Sequence, residues 1–394
     1  MNKYSFKNIL AAGILIGGVI FQSGCSKEKD QEQVNIDATS FEFDIIDSVM
    51  IDYLGSVSWS DISKDGKHIL AYNNQNMDVL LFSTDGEVVG TFNKSGDQPD
   101  AIGGSPLSRP QFVKKNEWAI TGKNGVFAFD FNGDLTRTAK PGFPVTLSLT
   151  ISNANILHFL DEDRALVHFL GRDGKGTFYV NPEAKQLEKI SLKDGNFVEV
   201  MPLPENSKYK NSEKIHNVLT VTPAIDIHDG KLYVAFKNEP KLWIYDLNKL
   251  DQPEKQINIQ FDKFIEKEGI APDAVDNDNV GINVKDFTFG SIDKLFVYED
   301  MIIIQYSKGI TDAEYKEVSE NVDNPMDIFS KIFEKNKWHF AILNSEGQIK
   351  PITLPERVGN IEFIDQEGNL WLSYDREEEL DYELIFKAKL KAIQ

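Results

Sequence analysis

The chain has 394 residues, 41% of them hydrophobic and 11% aromatic, enough apolar material for a large buried core. Acids outnumber bases, 62 Asp+Glu against 42 Lys+Arg, for a formal charge of −20. With no Lys/Arg-rich block, that balance excludes a nucleic-acid binder, which needs a basic footprint. The excess acid is read as a well-hydrated surface, with a site for cationic ligands as the alternative.

Lys3 and Lys7 give the amino terminus a positive flank, and Ile9–Phe21 (ILAAGILIGGVIF) is an apolar core. At 13 residues it is too short to span about 30 Å of hydrocarbon as a helix, so it reads as a signal segment. Two small residues, Ser23 and Gly24, precede Cys25, the single cysteine of the chain. This stretch resembles the lipobox of bacterial lipoproteins, with Gln22 where leucine is usual. The resemblance implies cleavage before Cys25, diacylglyceryl modification of its thiol, and a membrane anchor. With no second cysteine an exported chain forms no internal disulfide, so its core must hold the fold. Ser26–Ser40 is polar, mixed in charge and without periodicity, as in a flexible tether. Its opening, Cys25–Glu32 (CSKEKDQE), resembles the charged post-cysteine signal of Bacteroidota lipoproteins. That implies an outer-membrane, surface-exposed location, with a periplasm-facing lipoprotein as the alternative. Residues 1–24 are therefore assigned to a signal peptide, 25–40 to a tether and 41–394 to one folded domain.

From residue 41 onward, β-branched and aromatic runs of strand length recur, among them His68–Tyr72, Gly125–Phe131, Lys241–Leu247 and Met301–Ser307. Between many such runs sits a pair that favours the positive φ of a tight hairpin. These are Asp65-Gly66, Asp85-Gly86, Asn132-Gly133, Asp194-Gly195, Asp229-Gly230, Glu346-Gly347 and Glu367-Gly368. Grouping the strands in fours gives a first unit of Val57–Ile62, His68–Asn73, Asp78–Ser83 and Glu87–Asn93. The second runs Gln111–Thr138, the third Asn155–Leu192 and the fourth Ala224–Gln260. A fifth starts near Phe287 and ends at Leu354, and the last, Gly359–Leu390, offers three strands. Phe41–Asp47 stands alone before the first unit and can supply the missing strand, which removes open sheet edges. The predicted fold is all-β: a six-bladed β-propeller of four-stranded antiparallel blades, the last closed by the amino-terminal strand. A pair of β-sandwiches is the alternative, but it leaves the four-strand rhythm unexplained.

Asp78–Gly104 (DVLLFSTDGEVVGTFNKSGDQPDAIGG) resembles the recurring signature of six-bladed, TolB-like or NHL-like propeller lipoproteins of Bacteroidota. Phe82, Asp85, Gly86, Gly96 and Pro99 match that pattern, while Ser83, Asp97 and Asp100 depart from it. The match covers the first blade.

Long connections are predicted at Lys94–Pro110, Pro141–Ala154, Lys193–Pro223, Asp262–Asp286 and Ser307–Lys337. All fall on the face opposite most of the tight turns, and long loops on a rigid scaffold carry binding sites. Candidate ligand contacts are Asp97, Gln98 and Arg109 in the first, Tyr209 in the third, and Asp276, Asp278 and Asn283 in the fourth. The fifth is predicted to hold a helical insertion over about residues 309–336. Thr311 and Glu314 form a capping box, and Asn324-Pro325 starts a helix with Ile328, Phe329, Ile332 and Phe333 on one face. That face either packs on the domain or docks a partner.

Asp276–Asn283 (DNDNVGIN) has the look of a calcium loop, yet Val280 stands where an oxygen is needed and Phe287 where a bidentate Glu belongs. An Asx-rich turn is the reading there, and no metal, cofactor or catalytic residue is assigned. His158 and His168 flank the Asp161–Arg164 hairpin and could face each other across paired strands. Asp226 and His228 alternate on an innermost strand and could line a channel. The predicted function is a binding module on an outer-membrane lipoprotein, anchored at Cys25. It would capture a small molecule, glycan, peptide or chelate on the long-loop face, with a TonB-dependent transporter as candidate partner and no nucleic acid. A scaffold for envelope proteins and a propeller hydrolase or lyase with a divalent metal are the alternatives.

Overall fold

The computed structural model describes residues 40–96, 98–145, 157–170, 179–210, 213–274, 283–320, 322, 324–375 and 380–393. The signal segment, Cys25 and the tether lie outside these residues, as do Asp97, Asp276 and Asp278.

Strand β1 (Ser40–Ile51) precedes a four-stranded antiparallel meander of β2 (Ser58–Ile62), β3 (His68–Asn73), β4 (Asp78–Ser83) and β5 (Val88–Asn93). A second follows, of β6 (Gln111–Lys114), β7 (Glu117–Gly122), β8 (Gly125–Asp130) and β9 (Leu135–Ala139). The third holds β10 (Leu157–Phe159), β11 (Arg164–Val167), β12 (Lys185–Ser191) and β13 (Phe197–Pro202). The short helix α1 (Val218–Val221) leads to the fourth, of β14 (Pro223–His228), β15 (Lys231–Phe236), β16 (Lys241–Asp246) and β17 (Lys255–Asn258).

The remaining strands are β18 (Ser291–Tyr298), β19 (Met301–Ser307), β20 (His339–Leu343), β21 (Ile349–Thr353), β22 (Val358–Ile364), β23 (Leu370–Tyr374) and β24 (Glu383–Ile393). With β1 they form one eight-stranded sheet, in the order β18-β19-β20-β21-β1-β24-β23-β22. Four separate four-stranded sheets are therefore found, where six were expected. The eight-stranded sheet has a narrow waist, because β21 and β1 meet in parallel over two residue pairs, Phe41↔Ile352 and Glu42↔Thr353. By contrast β1 runs antiparallel along nearly all of β24, from Ser40↔Ile393 to Ile51↔Glu383. That is the partner predicted for the lone amino-terminal strand.

The seven turn glycines all take positive φ, between +67° and +96°. At Gly347 a side chain is excluded on two grounds: φ is +87°, and a Cβ would lie 1.9 Å from the carbonyl oxygen of Asn258.

Each sheet is buried on both faces, which is why its middle strands read as continuous apolar runs rather than alternating ones. Successive residues of β3 show the division of labour. Ile69 and Ala71 pack with Phe363, Trp371 and Ile385 of the last strands, whereas Leu70 and Tyr72 pack with Trp118, Ile120, Phe127 and Phe129 of the second sheet. In β8, Phe127 and Phe129 meet the first sheet while Val126 and Ala128 meet Ala165 and Val167 of the third. Further shared cores join the third sheet to the fourth, around Trp243, and the fourth to β18–β20, around Leu242 and Ile304. Sheet-on-sheet packing thus runs from neighbour to neighbour and returns to the first sheet, a propeller-like arrangement.

Two longer helices, α2 (Asp312–Ser319) and α3 (Pro325–Lys335), fill the connection between β19 and β20. Thr311 and Glu314 form the predicted capping box, and Asn324 caps α3 with Pro325 in its first turn. The third sheet differs from expectation. Its outer strand is β13, after the Asp194-Gly195 turn and beyond Leu192, where the unit was expected to end.

Candidate functional site

The first strands of the meanders, β2, β6, β10, β14, β18 and β22, lie innermost. β22 sits beside β2, β2 beside β6, β6 beside β10, and β14 beside β18. They surround a cavity of about 600 Å³ that draws its wall from all six. Ser60 and Asp61 come from β2, Arg109 and Gln111 from the entry to β6, and His158 from β10. Asp226 and His228 come from β14, Asp293 and Lys294 from β18, and Glu362, Asp365 and Gln366 from β22 and the turn beyond it.

Register slips in the first strands explain why so many polar residues share one wall. β2 slips between Trp59 and Asp61, β18 between Ile292 and Lys294, and β22 between Ile361 and Phe363. A bulge breaks the strict alternation of faces, so consecutive residues such as Asp293 and Lys294 reach the same cavity.

One group of charges crosses the ring. Arg109 donates through Nη1 to Glu362 Oε2 at 2.7 Å and to the carbonyl of Trp59 at 2.6 Å. Lys294 donates to the same Oε2 at 2.9 Å and to the carbonyl of Ile361 at 2.6 Å. Glu362 therefore ties β22 to β18 and to the entry of β6, with side chains only 7, 9 and 14% exposed for Glu362, Lys294 and Arg109. Burial pushes the Glu362 carboxyl up, but Lys294 and Arg109 outweigh it and hold the carboxyl below its ordinary value. Burial, aided by Arg109, brings the Lys294 ammonium down to about 8 against the pull of Glu362. Beside it, Asp293 pairs with Lys237 at 2.9 Å and accepts from the Ser291 hydroxyl.

A second device occurs twice. Asp61 accepts the backbone N–H of Phe112, on the next first strand, at 2.8 Å and that of Ile62 at 2.8 Å. Asp226 likewise accepts from Val297, on its own neighbouring first strand, at 2.6 Å and from Ile227 at 2.8 Å. Each carboxylate thus stitches two sheets together at the cavity wall. Burial is the dominant influence on both, raising Asp61 to about 7 and Asp226 to about 6 despite these hydrogen bonds.

Of the predicted contacts, Arg109 alone among the described ones reaches the cavity. Gln98 lies outside it, its side-chain amide donating to the Asn93 carbonyl at 3.1 Å. Tyr209 is buried between the third and fourth sheets, and its hydroxyl donates to the Thr220 carbonyl at 2.6 Å. Asn283 caps the 3-10 turn Val284–Phe287 by accepting from Lys285. On α3, Ile328 and Ile332 pack into a small cluster with Ile310 and Val318, and Phe329 lies 4.9 Å from the Phe287 ring. Phe333, 49% exposed, leaves that face partly open.

The position of the cavity also departs from expectation. Its lining runs along the first strands, as far as His228 and Gln366 at the tight first turns, and of the long connections it takes in only Arg109, at the end of the first, among the described residues. Asp226 and His228 both line it, together with Ile227 between them. The two histidines of the third sheet do not face each other. His158 pairs with Leu166 and lines the cavity, while buried His168 lies beyond β11 and donates through Nδ1 to the Gln186 carbonyl at 2.7 Å. Among the described residues no three His, Cys, Asp or Glu side chains converge as a metal site would require.

No protein-family model matches the chain, and no curated protein matches it. Among solved structures it is similar to a member of the DUF4221 family from Bacteroides vulgatus, with a TM-score of 0.60 and 11% identity over 90% of this chain and 100% of that one. It is also similar to a protein from Bacteroides fragilis described as exported, with a TM-score of 0.49 and 10% identity over 92% and 98% of the two chains. The β-propeller domain of Cps50 (Swd1) from Myceliophteria thermophila gives 0.42, with 10% identity over 89% and 100%. At these identities the first likeness carries the fold alone. The molecule is an all-β, propeller-like protein with a polar cavity at the meeting of its innermost strands.

Proposed function

We propose that the chain is a six-bladed β-propeller lipoprotein of the bacterial outer membrane, and that its central cavity captures a small polar ligand. The narrow waist of the eight-stranded sheet supports this blade count. Cutting it between β21 and β1 leaves β18–β21 and β22–β24 with β1, each a four-stranded meander like the other four. The observation that carries the binding reading is the cavity itself. At about 600 Å³ it falls within the range of small-molecule sites, and both charge signs, amides and imidazoles converge on it. A TonB-dependent transporter is the proposed recipient. Attachment to the membrane is through lipid on Cys25 in this reading.

Two experiments test this. Melting of the purified protein against a panel of sugars, short peptides and metal chelates should show a concentration-dependent rise for at least one class. A flat response across the panel overturns capture. Separately, Cys25→Ala should move the protein from the membrane pellet to the soluble fraction, and unchanged sedimentation with membranes removes the lipoprotein reading.

A docking role has one observation in its favour. Met326 and Phe333 on α3 are 70 and 49% exposed, an apolar edge on the helical insertion.

A further inference from the structure

The bonding capacity left over in the cavity wall points to the chemistry of the ligand, and this step rests on the reading of the cavity as the capture site. We infer that the cavity takes a neutral sugar, one hydroxyl of which accepts from Lys294 and donates to Glu362.

Five carboxylates line the cavity, and four of them are occupied on both oxygens. Asp61 and Asp226 each accept two backbone N–H groups, one on each oxygen. Asp293 is held by Lys237 on one oxygen and by the Ser291 hydroxyl on the other. Asp365 accepts from the Asn369 amide on both, and from the Trp371 indole. Glu362 is the exception. Arg109 and Lys294 both bond its Oε2, while Oε1 has no protein donor and retains accessible surface. Lys294 has a matching vacancy. An ammonium has three donors, of which two go to Glu362 and the Ile361 carbonyl, and the third meets no protein acceptor. The two side chains are 7 and 9% exposed, and both line the cavity.

One open acceptor and one open donor thus belong to a single buried ion pair. A ligand carboxylate would reach Lys294 only by facing the bare oxygen of Glu362, in a wall with four further acids. An ammonium would reach that oxygen only by facing Lys294, with Arg109 on the same carboxylate. Like charges at so buried a place repel strongly. A hydroxyl carries a donor and an acceptor on one uncharged atom, so it satisfies both positions at once. The wall repeats that demand elsewhere. Gln111 and Gln366 line it with amides that also both donate and accept, and among the described residues neither amide has a protein partner. Phe296, partly exposed in the same wall, offers an apolar ring to the C–H face of a sugar.

The test uses the full chain in detergent with glucose, galactose and mannose, each matched with its uronate and its 2-amino sugar. Calorimetry should find at least one neutral sugar that binds about tenfold or more tightly than both of its charged counterparts. For that sugar, a scan of single-deoxy analogues should find one hydroxyl whose loss weakens binding about tenfold or more, because it gives up two bonds to charged groups. In Lys294→Met the parent sugar and that analogue should bind alike. Should the single variant fold poorly, the neutral pair Glu362→Gln with Lys294→Met makes the same comparison. The charge preference and the deoxy scan are read on the wild type, so they decide even where both variants misfold. A uronate or amino sugar that binds as tightly as its neutral partner overturns the inference. So does a scan without a sensitive hydroxyl, or a hydroxyl that stays as sensitive in a folded variant. If these sugars are flat while peptides or chelates of the wider panel bind, the sugar assignment falls and capture stands. If every class is flat, capture itself falls.

Discussion

Glu362→Ala is expected to destabilise the protein by on the order of 3–5 kcal/mol, among the largest losses available to a single polar residue. The reason is asymmetry. The intact group places one carboxylate between two cations, and the desolvation of all three is offset by short, charge-assisted bonds and by carbonyl acceptors on Trp59 and Ile361. Removing the acid takes from Arg109 and Lys294, both largely buried, the carboxylate that they share. It also unties β22 from β18 and from the entry of β6, so the loss falls on contacts between sheets. Urea denaturation would measure the effect. The double variant Glu362→Ala with Lys294→Met should recover about 1 kcal/mol or more, because one stranded cation goes with it. A loss below about 1 kcal/mol for the single variant, or strict additivity in the pair, would show that the group is solvated well enough to need no partner.

The sheet architecture was written in the turns. Gly66, Gly86, Gly133, Gly195, Gly230, Gly347 and Gly368 all sit at positive φ, which a local dipeptide can specify because only a few residue types tolerate it. The pairing of β1 with β24 was legible for a related reason: a three-strand remainder at one end and a lone strand at the other have one economical solution. The third sheet was misread because β propensity describes a half-buried pleated surface and not a partner. Beyond the expected end of that unit at Leu192, β13 buries only Met201 of its six residues and so announces itself weakly.

The site was harder to see. Of the residues expected to bind, Arg109 reaches the cavity wall, where its partner Glu362 lies 253 positions away along the chain. Long connections looked like the site since loops vary and carry function. The cavity instead came from bulged first strands, whose signal is an acid placed in an otherwise apolar strand shortly before the first turn. Asp61, Asp226 and Glu362 repeat that pattern in three of the units, and Asp293 stands earlier in its strand, beside Lys294. An acid inside a strand must be satisfied by something across the fold, and that requirement, read unit by unit, would have pointed inward.

The two stitching carboxylates make the stability of the fold depend on pH in an uncommon direction. Burial raises Asp61 from 3.8 to about 7 and Asp226 from 3.8 to about 6, so the folded protein holds their protons more tightly than the unfolded chain does. Over the interval between those values the native state binds more protons, and ∂ΔG/∂pH is negative. Their stabilising contribution is therefore complete below about pH 4 and is lost as pH rises through about 6 for Asp226 and about 7 for Asp61. A full conversion at about 1.4 kcal/mol per unit overstates the change, since both side chains border a cavity that water can enter. On the order of 1–3 kcal/mol for each is expected. The other groups in reach are few: Lys64 acts on Asp61 and His228 on Asp226, beside the N–H donors of Ile62, Phe112, Ile227 and Val297. The comparison that isolates the effect is wild type against Asp61→Asn and against Asp226→Asn, each unfolded in urea at pH 4.5, 6, 7.5 and 8.5. An amide cannot titrate and cannot accept both N–H bonds, so each variant should be weaker at every pH. Its deficit relative to wild type should be largest at pH 4.5 and shrink as pH rises, levelling first for Asp226 and then for Asp61. Asp65→Asn, an exposed turn acid whose Ser63 hydrogen bond holds it below the ordinary carboxylate value, serves as control and should leave the slope unchanged above pH 5. Parallel profiles for wild type and both cavity variants would mean that the carboxylates remain charged in the fold, and that the sheets are stitched by anions at every pH tested.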